Sequence, residues 1–124
     1  MPDSLFDSLC KTLRGKVRTA EPMGRHTTWR VGGPADLFLV PADRDDLLAA
    51  LRLLAANDIP WLVVGAGSNL LVRDGGIRGA VIQTGGLRRL AFDGTTVRTE
   101  GGVPMMTLIG TCAERGLAGI ERLA

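Results

Sequence analysis

The clearest binding chemistry in the chain lies in Gly65, Ala66, Gly67, Ser68, Asn69 and Leu70, which follow the apolar run Trp61-Leu62-Val63-Val64. Such a run after Pro60 predicts a buried strand. Glycines one residue apart let the chain adopt φ > 0 and let another group approach the backbone closely. Successive N–H groups in a turn of this kind form a concave nest for an anion. The Ser68 hydroxyl and the Asn69 amide add donors. The chemistry implied is the holding of a phosphate or pyrophosphate; the competing reading is a tight strand-to-strand turn with no ligand. Two familiar phosphate loops are excluded. A dinucleotide fingerprint needs a third glycine three residues after the second and a helix behind it. Leu70 stands at that position, and Leu70-Leu71-Val72 predicts strand instead. A Walker loop needs Gly-Lys followed by Ser or Thr, which the chain lacks. A ligand here would be held by neutral amides, without a lysine or a helix dipole.

Other candidates carry less. His26 is the sole histidine and has no carboxylate or cysteine cluster beside it in sequence, so neither a metal ligand nor a catalytic base is expected. Arg30 has two readings, an anion contact or a surface ion pair. Cys10 and Cys112 are far apart and outside metal or redox spacing; both fall on the apolar side of predicted helices, so buried reduced thiols are expected. No catalytic residue and no metal ligand is assigned.

The elements that must position the loop can be read from pattern. Residues 4–14 predict an amphipathic helix ended by Gly15, with Leu5, Phe6, Leu9 and Leu13 at helical spacing. A short strand over 16–19 and a loop over 21–24 follow. Residues 36–40 predict a strand ending at Pro41. Residues 43–57 predict a helix whose acidic first turn, Asp43, Asp45 and Asp46, suits the helix dipole. With the strand 61–64 these make a parallel βαβ unit. The glycine loop then lies at the carboxyl end of its second strand, where open α/β sheets bind ligands, which favours the ligand reading. Beyond it, Asp74-Gly75-Gly76 is a turn and Ala80-Val81-Ile82 a strand. Asp93-Gly94 turns a hairpin answered by Thr96-Val97-Arg98-Thr99. Gly101-Gly102 breaks that strand. Pro104 opens a helix to about residue 115, with Met105, Leu108, Ile109 and Cys112 as its apolar face and Gly116 as its cap.

Composition agrees with one folded unit. The chain has 124 residues, 45% hydrophobic and 23% charged, an ordinary globular balance. The net charge of +2 is too even to point to nucleic acid or a membrane surface. All of the 15 basic residues except Lys11 and Lys16 are Arg. Acidic and basic residues in the first helix argue against a signal peptide, and no apolar run reaches membrane-spanning length; a cytoplasmic setting is expected. The expected organisation is an N-terminal helix (1–15), a small α/β unit (16–68) and the start of an antiparallel unit (69–124). An antiparallel unit that is incomplete leaves an unpaired edge, so self-association is expected.

Two motifs then coincide with a known family. Thr28-Trp29-Arg30-Val31-Gly32-Gly33-Pro34-Ala35 and Gly65-Ala66-Gly67-Ser68-Asn69-Leu70-Leu71, with the helix between them and Glu114-Arg115-Gly116-Leu117-Ala118-Gly119-Ile120-Glu121, resemble the bacterial UDP-N-acetylenolpyruvoylglucosamine reductases. The resemblance implies an α+β fold, an FAD-binding domain of the vanillyl-alcohol-oxidase (PCMH) type. It implies FAD as cofactor, NADPH as reductant and a UDP-sugar substrate, whose enolpyruvyl group is reduced to a lactyl ether in peptidoglycan precursor synthesis. It implies that residues 65–70 wrap the FAD pyrophosphate and that Gly101 and Gly102 lie near the rest of the cofactor. Family members are longer, and their substrate arginine, serine proton donor and late glutamate match positions beyond Ala124. Other readings are a flavoenzyme of the same fold with another substrate, or a stand-alone nucleotide-binding module.

Overall fold

The computed structural model describes residues 3–67 and 70–123; the expected site residues Ser68 and Asn69 lie outside the described residues. Helix α1 (Asp3–Thr12) leads into strand β1 (Lys16–Pro22) and a 3-10 turn (Met23–His26). Strand β2 (Pro34–Val40), helix α2 (Arg44–Ala56), strand β3 (Trp61–Val64) and strand β4 (Ile77–Gln83) follow. Strands β5 (Leu90–Asp93) and β6 (Thr96–Thr99), helix α3 (Met105–Glu114) and a 3-10 turn (Glu121–Leu123) complete the order.

β1, β2, β4 and β3 form one sheet in that spatial order. β1 is antiparallel to β2, while β2 and β3 each run parallel to β4. The parallel relation of β2 and β3 agrees with the βαβ pattern, but β4 is inserted between them. The expected division at residue 68 therefore falls inside a sheet-forming unit: Ile77–Gln83 is an inner strand of the first sheet and not part of an antiparallel second unit. The physical reason is burial on both faces. Ala80 and Ile82 pack with Leu37 and Leu39 of β2 beneath Leu5, Leu9 and Leu13 of α1 and Ala50 and Leu54 of α2. Val81 points to the other face, with Phe38, Met23, Val64 and Val72. A strand covered on both faces belongs in the middle of a parallel sheet. A register shift between Ala35 and Leu37 puts Ala35 on the Phe38 face, as a bulge does.

Helix α2 starts where its sequence says it should. The Asp43 carboxylate accepts the Asp46 N–H at 3.0 Å as the N-cap, the role for which Asp is favoured. Three further expectations are corrected. The segment 21–24 is the end of β1 and the 3-10 turn, not loop. Leu70-Leu71-Val72 is irregular, not strand; its place is fixed by Val72, whose side chain is buried in the second core cluster. Cys10 is exposed, although Cys112 is buried, because Leu5, Leu9 and Leu13 form the inner stripe of α1 and Cys10 is one helical step off it. The hairpin β5–β6 pairs Asp93 with Thr96, with Gly94 at φ +59. β3 is an edge strand, and Trp61, Leu62 and Val63 on it are exposed. Among the described residues no helix is long and apolar enough to cross a membrane.

Candidate functional site

The glycine loop leaves the carboxyl end of β3 and returns to β4 with no helix among the described residues 65–67 and 70–76. Its base is tied to the neighbouring strand: the Thr84 N–H donates to the Val64 carbonyl at 3.1 Å, and the Thr84 hydroxyl reaches the same oxygen at 3.4 Å. Its flank is tied to the segment before β2. The Thr28 N–H donates to the Gly67 carbonyl at 3.2 Å, and the Gly33 N–H donates to the Arg73 carbonyl at 2.9 Å. Thr28 and Gly33 of the first motif are thus packed backbone against backbone on Gly67 and Arg73 of the loop. Glycine is required where they meet. Gly67 sits at φ +77, and a Cβ there would lie 1.9 Å from the His26 carbonyl oxygen. A Cβ at Gly33 would lie 2.0 Å from the Asp74 carbonyl oxygen.

What this packing leaves free is the inner rim of the loop. Among the described residues no hydrogen bond occupies the N–H groups of Gly65, Ala66 or Gly67. Nothing lies within 4 Å of a Cβ placed on Gly65. Gly65 and Ala66 are shared by two clefts of about 380 Å³ each. One is lined by Leu62, Val63, Val64, Gly67 and Leu70 and has an apolar wall. The other is lined by Arg25, His26, Thr27, Thr28, Arg30 and Gln83 and is cationic and polar. Amides without partners between an apolar cleft and a basic one suit a ligand with an apolar part and an anionic part. The residues present therefore fit a dinucleotide: backbone N–H groups for the diphosphate and an apolar wall beside it.

The basic cleft is organised by a buried carboxylate. Glu21, 4% exposed, accepts from His26 Nε2 at 3.1 Å and from Arg18 at 3.3 Å, with Arg25 at 3.8 Å from the same oxygen. Burial alone would raise its pKa; the hydrogen bond from His26 and the charge and hydrogen bond of Arg18 outweigh that and hold it below the ordinary 4.5. The His26 ring is stacked on Phe38, centroids 4.1 Å apart, which locks the 3-10 turn to the core. His26 thus has a carboxylate partner that is five residues away in sequence. Its side chain serves the wall of the cleft.

Gly101 and Gly102 stand at a different place. The Gly102 N–H donates to the Leu87 carbonyl at 2.8 Å, and a Cβ on Gly102 would lie 2.0 Å from the Thr84 carbonyl oxygen. Thr84 is the residue that braces Val64, so this glycine pair is joined to the loop through one residue. The residues that sequence reasoning passed over are Gln83, Thr84, Arg25 and Thr27. Gln83 had a signal: it is a polar residue directly after the apolar run Ala80-Val81-Ile82 of β4, at the carboxyl end where ligands gather. Arg25 and Thr27 had none, because only tertiary packing brings the 3-10 turn against Gly65 and Ala66. A separate cleft of about 450 Å³ between the β5–β6 hairpin and α3 is lined by Val97, Leu108, Cys112 and Leu117 among others, and it shares no residue with the loop.

Comparison with known proteins agrees with this geometry. A family described as FAD binding domain matches residues 35–121. The UDP-N-acetylenolpyruvoylglucosamine reductase of Syntrophotalea carbinolica is 56% identical over 117 residues, covering 94% of this chain and 39% of the relative. The protein of the same name from Geobacter metallireducens is 49% identical over 124 residues, covering 99% of this chain and 41% of the relative. The chain thus spans about two fifths of the curated relatives it matches. Among solved structures, aclacinomycin oxidoreductase superposes with a TM-score of 0.65 at 18% identity, over 82% of this chain and 22% of that one. A BBE-like 1 variant from Physcomitrella patens superposes at 0.63 and 15% identity, over 89% of this chain and 26% of that one. The α+β FAD-binding fold expected from the sequence is the fold these similarities bear out, and FAD is the cofactor they support. With the match extending over residues 35–121, the chain belongs to the FAD binding domain family.

Proposed function

We propose that this chain is the FAD-holding part of a UDP-N-acetylenolpyruvoylglucosamine reductase. The observation that carries the cofactor site is the set of N–H groups on Gly65, Ala66 and Gly67 that have no hydrogen-bond partner among the described residues, between an apolar and a basic cleft. Charge-assisted hydrogen bonds of this type contribute about 1.5–3 kcal/mol each, so a few of them are enough to anchor a diphosphate. Residues 65–70 hold that diphosphate, and Gly101 and Gly102 shape the neighbouring wall through Thr84. When bound, FAD supplies the two-electron redox chemistry; this chain supplies position, an apolar wall and loop amides.

The names of the relatives support the substrate. In the intact protein NADPH is the reductant, and the enolpyruvyl group of a UDP-sugar is reduced to a lactyl ether for peptidoglycan precursor synthesis in the cytoplasm. Residues 16–124 act together as the cofactor domain, with β4 completing the sheet formed with β1, β2 and β3. The exposed β3 edge favours self-association, which size-exclusion chromatography reads directly; a monomer across a wide concentration range would remove that part.

The test is titration of the protein with FAD, followed by flavin fluorescence and calorimetry. Saturable one-to-one binding is expected, with riboflavin bound far more weakly than FAD. No heat and no spectral change with FAD would overturn the reading.

A further inference from the structure

The basic cleft beside the loop holds a cation, Arg30, that has no ion pair among the described residues. Arg25 shares the Glu21 carboxylate with Arg18 and His26. Arg30 lines that cleft together with Gly65 and Ala66, whose amides offer dipoles but no net charge. A diphosphate held by those amides alone would keep its full negative charge.

The backbone at Arg30 carries a second observation. Its φ is +58, a region that residues with a Cβ seldom adopt and that glycine adopts freely. The conformation is imposed by a tight turn. The Arg30 N–H donates to the Thr27 carbonyl at 3.1 Å, and the buried Thr27 hydroxyl donates to the Val31 carbonyl at 3.2 Å. The Arg30 carbonyl is close-packed on Gly24, where a Cβ would lie 3.2 Å from it. The turn by itself asks for glycine. Arginine adds strain and a guanidinium, and strain of this kind is found where a side chain is needed at a site. A guanidinium is also the group best shaped to meet phosphate oxygens.

We propose that Arg30, held in a left-handed turn in the cleft it lines with Gly65 and Ala66, is the countercharge for the diphosphate of FAD. The proposal rests on the FAD site described above. It assigns affinity to one side chain in addition to the loop amides. It also makes that affinity sensitive to salt, since an exposed ion contact is screened.

The experiment compares the protein with Arg30→Gly, Arg30→Asn and Arg30→Lys variants by titration with FAD, ADP and riboflavin at low and moderate salt. Far-UV circular dichroism checks that each variant is folded. Glycine and asparagine both tolerate the positive φ, so these two substitutions remove the charge without asking the turn to change. Both are expected to weaken FAD and ADP about tenfold, to leave riboflavin unchanged, and to reduce the salt dependence of FAD binding. Arg30→Lys is expected to keep the salt dependence and lose part of the affinity. Folded Gly or Asn variants that bind FAD as the parent does, with the same salt dependence, would overturn the proposal and leave the FAD site intact. Equal losses for FAD and riboflavin would overturn it as well. A parent protein that binds no FAD overturns the site and this inference together.

Discussion

Backbone amides are gathered by a side chain at the start of α2 and, among the described residues, stand without a partner at the end of β3. At the start of α2 the Asp46 carboxylate, 3% exposed, accepts the N–H groups of Arg14, Gly15 and Ala42 at 2.7–3.1 Å. That nest closes the α1–β1 connection onto the helix. At the end of β3 the N–H groups of Gly65, Ala66 and Gly67 have no such partner among the described residues. The same donor chemistry builds a structural joint in one place and, on the function proposed above, a ligand site in the other. The difference lies in whether an acidic side chain from the fold reaches the nest. Stability should therefore depend on the first nest and ligand affinity on the second.

The largest effect expected from this contrast is at the filled nest. Asp46→Ala removes a buried charge and strands three donors, which should cost about 3 kcal/mol or more of folding free energy, read by urea denaturation. A variant within experimental error of the parent would dissolve the distinction. Next comes Gly67→Ala. It meets both a positive φ and the His26 carbonyl, and about 2–3 kcal/mol of destabilisation is expected. Gly65→Ala provides the sharper half of that pair. With open space at its Cβ position, its stability should stay within about 0.5 kcal/mol of the parent, while FAD affinity falls because the methyl enters the cleft. Equal destabilisation of both variants would mean the rim is already filled.

A smaller effect is expected from acid. For Asp46, burial pulls its pKa up, but the N–H donors of Ala42, Arg14 and Gly15 outweigh it and hold the group below the ordinary 3.8. Glu21 is held below 4.5 for the reasons given above. Both contributions are present above those ordinary values and are lost as pH falls through the lower folded-state values. Stability should therefore be flat on this account from neutral pH down to the carboxylate range and drop below it. Asp46→Asn should flatten that acid limb. An acid limb unchanged in this variant would place the titration elsewhere.

Much of the local structure could be read along the chain. Helix α2 follows from its apolar stripe and from Asp43 at the cap, the hairpin from Asp93-Gly94, and the end of α3 from Gly116. Each depends on residues a few positions apart, so local spacing carries the information. The glycine loop was readable for the same reason, since turn conformation and exposed amides are local properties. Asp46 shows the limit. In sequence it is one of three acids suited to a helix dipole; in the fold it is a buried carboxylate that gathers amides from residues 14, 15 and 42.

What the sequence alone determined is the set of helices, most strands and the place of the glycine loop after β3, because hydrophobic period and turn chemistry act over one or two turns of chain. Only the tertiary structure decided that β4 enters between β2 and β3, that Leu70-Leu71-Val72 stays irregular, and that Cys10 faces outward. It alone brought the Arg25–Arg30 turn against Gly65 and Ala66. Those outcomes depend on which distant surfaces bury each other and which backbones pack without a Cβ between them, and such contacts have no periodic signature within any single segment.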